Sequence, residues 1–329
     1  MRQAAFGAAV MIAAVLGSLA CALRSAADSS RRDGSARSNE ASMKASEKAP
    51  IPFDCPAGLV SARRGGSDPD RYRVPRDADR AAMTDLVARL VTGGAAVRAS
   101  LGSAAAALGF SIDDVPEWPG TVLLRELPAK RRGGGAYVLR LARTSALIVQ
   151  APHTFFDEGT LPLGCELFAR ASAAAFFIET AHRYKSAAAG EDRDHPADVA
   201  HAADSLFQAA TEGLLRAMRN VTLVQVHGFA SRESGAEVVL SAGTKRPTTD
   251  LLSRAQRALT PLSLGRIARF PDESTELGAT TNVQGALVRA HSGRFLHVEM
   301  SSGVRKNLLA NTELRARFFE ALTRSLAGP

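Results

Sequence analysis

Aromatic residues and cysteines are scarce in this chain. Of its 329 residues 5% are aromatic, including 1 Trp and 3 Tyr, and there are 3 Cys. Nucleic-acid-binding surfaces combine clustered basic residues with interleaved aromatic ones, and small secreted scaffolds are dense in disulfides. The scarcity therefore argues against a nucleic-acid partner and against a small disulfide-stabilised domain.

Acidic residues are also in the minority, with 33 Asp and Glu against 41 Lys and Arg, a net charge of +8 and a pI near 9.9. The basic residues are scattered, apart from the Lys130-Arg131-Arg132 run beside three glycines. That run is typical of a solvated hairpin turn rather than a phosphate-binding patch. The positive charge favours an acidic substrate through electrostatic steering.

The N-terminus has the pattern of a signal peptide, which we assign to residues 1–20. Arg2 precedes an uncharged stretch with an apolar core, and Ser18-Leu19-Ala20 matches a small-x-small cleavage site. Cys21 follows, so we expect a secreted or periplasmic protein, or an outer-membrane lipoprotein attached through a lipidated Cys21. Residues 21–50 are rich in Ser, Ala and charge and are predicted to form a disordered tether.

Beyond this tether, apolar runs alternate with helical patterns. Residues 51–120 are predicted to form an N-terminal helical lead-in, and residues 121–329 an α/β domain. Continuous apolar runs such as Ala146–Ala151 are typical of strands covered on both faces. We therefore expect an α/β fold with a mixed, mostly parallel sheet flanked by helices in a single domain. Whether Cys55 and Cys165 form a disulfide depends on geometry and stays open.

Two of the apolar runs lead into residues that bind metals. The first is followed by His153 and then by the acidic pair Asp157-Glu158, and the second by His227-Gly228. The carboxyl ends of parallel strands meet at one edge of a sheet, so these side chains are expected to lie together. Two histidines and a carboxylate are a catalytic zinc ligand set. Spacing alone does not separate Asp157 from Glu158, and we take His153, Glu158 and His227 as the predicted ligands.

A third run, Phe295–Val298, ends in Glu299. An unpaired carboxylate at the end of an apolar strand is costly to bury. Glu299 is therefore interpreted either as an ion-pair partner of Arg305 or as a general base that accepts a proton from a zinc-activated water. His297 lies on the same face of the strand and is a weaker candidate.

Arg183 also ends an apolar run, next to His182. At such a position a guanidinium either clamps a substrate carboxylate and polarises a carbonyl, or forms a surface salt bridge. Asn282 is a further candidate for a polar contact.

Three of these motifs together resemble the poly-γ-glutamate hydrolases, which belong to the zinc carboxypeptidase-like superfamily near the N-formylglutamate amidohydrolases. The motifs, which lie between Ala146 and Ala310, are Ala-Pro-His153 with Glu158-Gly-Thr, Val-His227-Gly, and His297-Val-Glu299-Met-Ser-Ser-Gly-Val-Arg305. The resemblance implies a phosphorylase/hydrolase-like carboxypeptidase architecture. This chain departs from the family's pattern in having Thr154-Phe155-Phe156-Asp157 where the family has a glycine-rich loop.

The resemblance also implies roles: Zn²⁺ held by His153, Glu158 and His227, with Glu299 as the catalytic glutamate and Arg305 at the substrate. The resulting hypothesis is a secreted or lipid-anchored zinc-dependent amidohydrolase or peptidase. It would act on a small-molecule or peptide substrate, cleaving a γ-glutamyl or related amide bond. The alternative is a non-catalytic cell-envelope binding protein that retains the fold.

Overall fold

A computed structural model describes residues 55–64, 72–143, 145–184, 195–230, 235–246 and 249–327. These residues belong to one compact unit, Ile51–Pro329. The predicted signal peptide, the tether and Cys21 lie outside the described residues. Among the described helices, none is long and apolar enough to cross a membrane.

Helices and strands alternate through most of the described residues. The strands are β1 Phe110–Asp114, β2 Thr121–Glu126, β3 Ala136–Arg140, β4 Leu147–Ala151, β5 Ala175–Ile178, β6 Thr222–Phe229, β7 Ala236–Ser241, β8 Arg266–Arg269 and β9 Arg294–Ser301. The α-helices are α1 Ala57–Arg64, α2 Asp77–Gly93, α3 Arg98–Leu108, α4 Thr160–Arg170, α5 Leu206–Ala217, α6 Asp250–Leu259, α7 Val283–Ala290, α8 Ser302–Ala310 and α9 Thr312–Leu326.

The strands of the described residues form one sheet in the order β1-β2-β3-β5-β4-β6-β9-β7-β8. The central strands β5, β4, β6 and β9 run parallel, as do β7 and β8. The pairings β1–β2, β2–β3, β3–β5 and β7–β9 are antiparallel. The predicted α/β fold with a mixed sheet is confirmed. Parallel pairing is confined to the centre and to β7–β8 rather than prevailing throughout.

Strand β4 shows why a central strand of the sheet is a continuous apolar run in the sequence. All five of its residues are buried. Because side chains alternate between the faces of a strand, Val149 and Ala151 join the apolar cluster on one face, while Ile148 joins the cluster on the other. Helices therefore cover both faces, and the polar groups that follow β4 emerge at the carboxyl edge of the sheet.

The region predicted as a helical lead-in also contributes to the sheet. It contains α1, α2 and α3, but Phe110–Asp114 forms the edge strand β1 against β2. The hairpin expected around the basic run is present, since β2 and β3 pair in an antiparallel register. Arg132 in this turn pairs with Asp79 and donates to the carbonyl of Leu108, so it belongs to the fold.

Cys55 and Cys165 form a disulfide with Cα atoms 5.7 Å apart. It connects the residues before α1 to the buried face of α4, across a sequence separation of 110 residues. Closing so long a loop is expected to stabilise the fold by restricting the unfolded chain.

Candidate metal centre

The parallel centre of the sheet brings the three predicted strand ends together. His153 lies just beyond β4, while His227 and Glu299 lie in β6 and β9 and are register partners. All three are buried. The imidazole rings of His153 and His227 have centroids 4.8 Å apart, and those of His227 and His297 are 4.5 Å apart. The sequence-based placement of His153, His227, His297 and Glu299 at one site therefore agrees with the structure.

The carboxylate that completes this cluster is Asp157. Its Oδ2 lies 3.4 Å from Nδ1 of His153 and 3.2 Å from Nδ1 of His227. The chain between His153 and Asp157 folds as a single helical turn, in which the Asp157 amide donates to the His153 carbonyl at 2.7 Å. A spacing of four residues thus places both side chains on one side of that turn.

Glu158, the predicted third ligand, lies elsewhere. Its side chain is exposed, and its backbone carbonyl accepts a hydrogen bond from Nε of Arg305 at 2.7 Å. The next residue along a helical turn points about 100° away from its neighbour, so Asp157 and Glu158 cannot both face the histidines. Between the two carboxylates that the sequence left open, the structure brings Asp157 to the cluster.

The cluster has the chemistry and spacing of a zinc site. Four-coordinate zinc with ligand bonds of about 2.0–2.1 Å separates its ligand atoms by about 3.3 Å, close to the two distances at Asp157. Both carboxylate oxygens of Asp157 are buried and lack a hydrogen-bond donor among the described residues. A buried anion without donors is costly, and a divalent cation would satisfy it. His153, Asp157 and His227 therefore fit a metal ion.

Asp198 fixes the orientation of His153. Nε2 of His153 lies 2.9 Å from Oδ1 of Asp198. The other oxygen, Oδ2, forms an ion pair with Arg183 and lies 3.2 Å from Nδ1 of His201. A carboxylate on the far nitrogen of an imidazole is the usual support of a metal-binding histidine, because it holds the hydrogen on that nitrogen and leaves the lone pair on the other. Asp198 lies in the turns before α5, which begins at Leu206.

A chain of buried amides fixes His227 in the same way. The backbone N–H of Gly285 donates to Oδ1 of Asn282 at 2.8 Å, so the Asn282 Nδ2 donates to Oε1 of Gln225 at 2.5 Å. That oxygen also lies 2.9 Å from Nε2 of His227. Because a backbone N–H can only donate, each amide orientation follows from the previous one. Nε2 of His227 must then carry the hydrogen, which leaves Nδ1 facing Asp157 as an acceptor.

Burial and pairing set the charges of the cluster. Burial alone would raise the pKa of Asp157, but its close contacts with the imidazoles of His153 and His227 lower it below its usual value. Burial, assisted by repulsion from His153, lowers the pKa of His227 to about 4 despite its pairing with Asp157. At neutral pH Asp157 and His227 thus have the forms in which these groups bind metals. Burial lowers the pKa of His153, but its contacts with Asp157 and Asp198 raise it overall, so a metal ion there would displace a proton.

Glu299 is buried beside this cluster, and its Oε2 has no hydrogen-bond donor among the described residues. Burial, followed by repulsion from the Asp157 carboxylate, raises its pKa to about 8. The nearest imidazole contact is weak, at 3.8 Å between its Oε1 and Nε2 of His297. The pKa of Glu299 is therefore close to neutral pH, so its carboxyl group can take up or release a proton.

The two candidate arginines have different positions. Arg305 is buried, and its guanidinium donates to the backbone carbonyls of Glu158, Phe229 and Met300. Gly228 makes room for it, since a Cβ there would lie 2.2 Å from its Nη1. The guanidinium of Arg305 thus bonds to the backbone and forms no ion pair with Glu299, and its contact with a substrate stays a prediction.

Arg183 faces the histidines. Its Nη1 lies 3.2 Å from Nδ1 of His153, and its guanidinium stacks over the rings of Phe156 and Tyr184. It lines a cavity of about 560 Å³ together with His153, His227, His297, Glu299 and Asn282. The cavity therefore opens onto the candidate metal ligands, onto the carboxyl group of Glu299 and onto the guanidinium of Arg183. This volume is in the range of small-molecule sites.

No protein-family model matches the chain, and no curated protein matches it. Among solved structures it is similar to N-formylglutamate amidohydrolase from Ralstonia eutropha JMP134, with 13% identity, a TM-score of 0.37, and coverage of 58% of this chain and 96% of that one. It is also similar to a metallo-carboxypeptidase from Burkholderia cenocepacia, with 12% identity, a TM-score of 0.38, and coverage of 63% and 65%.

A further similar structure is the zinc-free form of YNDL, with 18% identity, a TM-score of 0.38, and coverage of 61% of this chain and 94% of that one. The fold neighbours thus include an N-formylglutamate amidohydrolase and a metallo-carboxypeptidase, the groups that the sequence motifs resemble.

Proposed function

We propose that this protein is a zinc-dependent hydrolase of amide or peptide bonds, with the metal held by His153, Asp157 and His227. One observation carries the proposal: the buried Asp157 carboxylate lies between two Nδ1 atoms and has no hydrogen-bond donor among the described residues. The far nitrogens of the two imidazoles face Asp198 and Gln225. Three protein ligands and an open cavity are the arrangement of catalytic rather than structural zinc sites.

Zinc at this position would supply Lewis acidity and lower the pKa of a water molecule. Glu299 lines the same cavity and would accept the proton of the attacking water and later pass it to the leaving amine. Its pKa near 8 is that of the metal-free protein, and a nearby divalent cation would lower it by favouring the ionised form. Glu299 would then be a base at neutral pH.

Arg183 would recognise an acidic group of the substrate. Its guanidinium lies at the cavity wall beside His153, and the rings of Phe156 and Tyr184 hold it in place. The N–H groups of Arg183 that are not engaged by Asp198 and His153 would donate to a substrate carboxylate. A γ-glutamyl or related acidic amide fits this arrangement. We place this activity in the periplasm or outside the cell, with a lipidated Cys21 as the proposed membrane attachment.

Metal analysis of the purified full chain tests the proposal. We expect about one zinc per chain in the wild-type protein and loss of the metal in a His153→Ala/His227→Ala double variant. A panel of γ-glutamyl and N-acyl amino-acid amides then tests hydrolysis. If neither protein contains metal after zinc is supplied, the proposed centre is wrong.

The second candidate function, a non-catalytic cell-envelope binding protein, makes a different prediction for the same panel. Zinc would bind stoichiometrically, yet no amide would be cleaved and Glu299→Gln would change nothing measurable. The buried Glu299, with its Oε2 open beside the candidate ligands, favours the hydrolase. A carboxyl group without a partner is costly to retain where no reaction uses it.

A further inference from the structure

A second cavity, of about 720 Å³, lies at the opposite end of α7 from the metal centre. Asn282, which orients Gln225, caps the first turn of α7, and Ala290 at the other end of the helix lines the second cavity. A helix of eight residues spans about 12 Å. The second cavity is therefore separate from the candidate metal centre, and an inference from it does not depend on the proposed hydrolase.

This cavity has a strong excess of positive charge. Its lining contains Arg246, Arg254, Arg289 and Arg294 but a single acidic residue, Asp250. Asp250 pairs with Arg254. No carboxylate of the described residues lies within ion-pair distance of Arg246 or Arg289. Two unneutralised guanidinium groups thus lie at one cavity.

Arg289 is held in place as a cation without a counter-ion. Its Nη1 donates to the carbonyl of Ala242 at 2.8 Å, which is a neutral acceptor. The backbone of Gly243 passes directly beside it in a left-handed conformation, with φ +67, and a Cβ there would lie 2.7 Å from Nη1. Burial, followed by repulsion from Arg246, lowers the pKa of Arg289. The fold therefore keeps two like charges close together, an arrangement that a bound anion would stabilise.

Part of the remaining lining is apolar. The core residues Leu251 and Phe295 line the cavity together with Ala242, beside the hydroxyl-bearing Thr244 and Thr249. Most small-molecule sites combine such an apolar wall with a few charged groups that fix orientation. A simple inorganic anion would use only the arginines, whereas an organic anion would also contact this wall.

We propose that this cavity binds a small organic oxyanion, with its phosphate or carboxylate group on Arg289 and Arg246 and its apolar part against Leu251 and Phe295. A guanidinium fork matches both oxyanion groups with paired hydrogen bonds. The two head groups share this chemistry, and the experiment separates them.

Isothermal titration of the full chain with phenyl phosphate, benzoate and inorganic phosphate at fixed ionic strength tests the proposal. We expect saturable binding of one aromatic anion, tighter than that of inorganic phosphate because of the apolar wall. The tighter of the two aromatic ligands identifies the head group. Arg289→Ala should weaken binding about tenfold or more, since it removes hydrogen bonds to a charged group. Arg289→Lys should retain part of the affinity.

Two matched variants define the outcome. Arg317→Ala removes the same charge from an exposed position of α9 outside the cavity, and it should leave the affinity unchanged. His153→Ala/His227→Ala should also leave it unchanged, because the metal centre is a different site. The proposal is overturned by absence of saturable binding, by equal affinity in correctly folded Arg289→Ala protein, or by loss of binding in either control.

Discussion

Two buried carboxyl groups at the carboxyl edge of the sheet, Asp157 and Glu179, have opposite environments. Each is 1% exposed. Glu179, just beyond β5, accepts hydrogen bonds at Oε1 from the backbone N–H groups of Thr180 and Ala181, at 2.6 and 3.0 Å. Asp157 has no such donors among the described residues, and two imidazole nitrogens face it instead. Burial alone therefore does not distinguish a structural carboxyl group from a functional one.

Their pKa values move in opposite directions. Burial raises the pKa of Glu179 well above its usual value, the nearby Glu126 adds to this, and the backbone donors offset it only in part. For Asp157 the imidazoles outweigh burial, so its pKa is lowered. The surroundings of Glu179 thus favour its protonated form, and its hydrogen bonds come from the chain itself. Asp157 is an anion with open lone pairs, which is what a cation site requires.

Glu299 combines both environments, and its replacement is expected to have the largest effect. It lies beside the metal ligands but has a raised pKa, like Glu179. Glu299→Gln preserves shape and removes the base, so turnover of any amide that the wild-type protein cleaves should fall about 10²- to 10⁴-fold. Zinc content, measured in parallel, should stay near the wild-type level. Full turnover in the variant would exclude Glu299 as the base.

The neighbouring residues Asp157 and Glu158 provide the next test, which asks whether the buried carboxylate without donors is the one that binds the metal. Asp157→Asn and Glu158→Gln each neutralise one carboxylate at nearly constant volume. We expect the first to weaken zinc binding by more than 100-fold, measured by competition with a chelator, because losing a ligand costs more than losing a residue that only supports one. The second should have little effect, since the Glu158 side chain is exposed. The reverse result would restore Glu158 as the ligand.

The difference between these neighbours also shows what the sequence could predict. Long apolar runs followed by His153 and His227, and a third ending in Glu299, were sufficient to place three site residues at one sheet edge. The third ligand depended on whether residues 153–157 form a loop or a helical turn. A spacing of four favours Asp157 only once that turn is known, so the choice needed backbone geometry.

Asp198 and Arg305 were harder to predict for other reasons. Asp198 approaches His153 from a segment of irregular turns 45 positions away in sequence, and no local pattern marks such a contact. Arg305 follows Glu299 closely and suggests an ion pair, but the turn into α8 directs its guanidinium to backbone carbonyls. Long-range pairing and side-chain direction are set by tertiary packing, which periodicity does not reveal.

The chain of amides from Asn282 through Gln225 to His227 offers a test whose expected effect on zinc affinity is intermediate. Asn282→Asp keeps the acceptor that caps α7 but removes the donor to Gln225. A carboxylate there would repel Oε1 of Gln225 and reverse its amide, so His227 would carry its hydrogen on Nδ1, facing Asp157. Zinc affinity should fall about 10- to 100-fold.

Nitrogen chemical shifts of the His227 ring, measured without metal, report the tautomer independently of activity. The matched control is Asn311→Asp, which makes the same change at the cap of α9, where Oδ1 accepts from the Leu314 amide. If Asn282→Asp leaves both the ring shifts and the zinc affinity at their wild-type values, the amide chain does not set the tautomer.

The smallest expected effect concerns stability and contrasts Glu179 with Asp157 directly. Because the pKa of Glu179 is raised in the folded protein, its contribution to stability is fully present below the unfolded-state pKa and is lost as the pH rises through the folded value. Glu179→Gln stays neutral and retains an oxygen for the Thr180 and Ala181 amides. It should therefore be more stable than wild type at pH 8, by on the order of 1 kcal/mol, with a smaller difference at pH 5.

For Asp157 the sign is reversed, because a lowered pKa contributes stability above the unfolded-state pKa that is lost as the pH falls. Metal-free Asp157→Asn should thus lose stability relative to wild type at neutral pH and approach it in acid. Urea unfolding of both variants and of the wild type at several pH values measures how the difference in unfolding free energy changes with pH. A change in the same direction for both substitutions would mean that the two carboxyl groups do not differ in charge as their surroundings indicate.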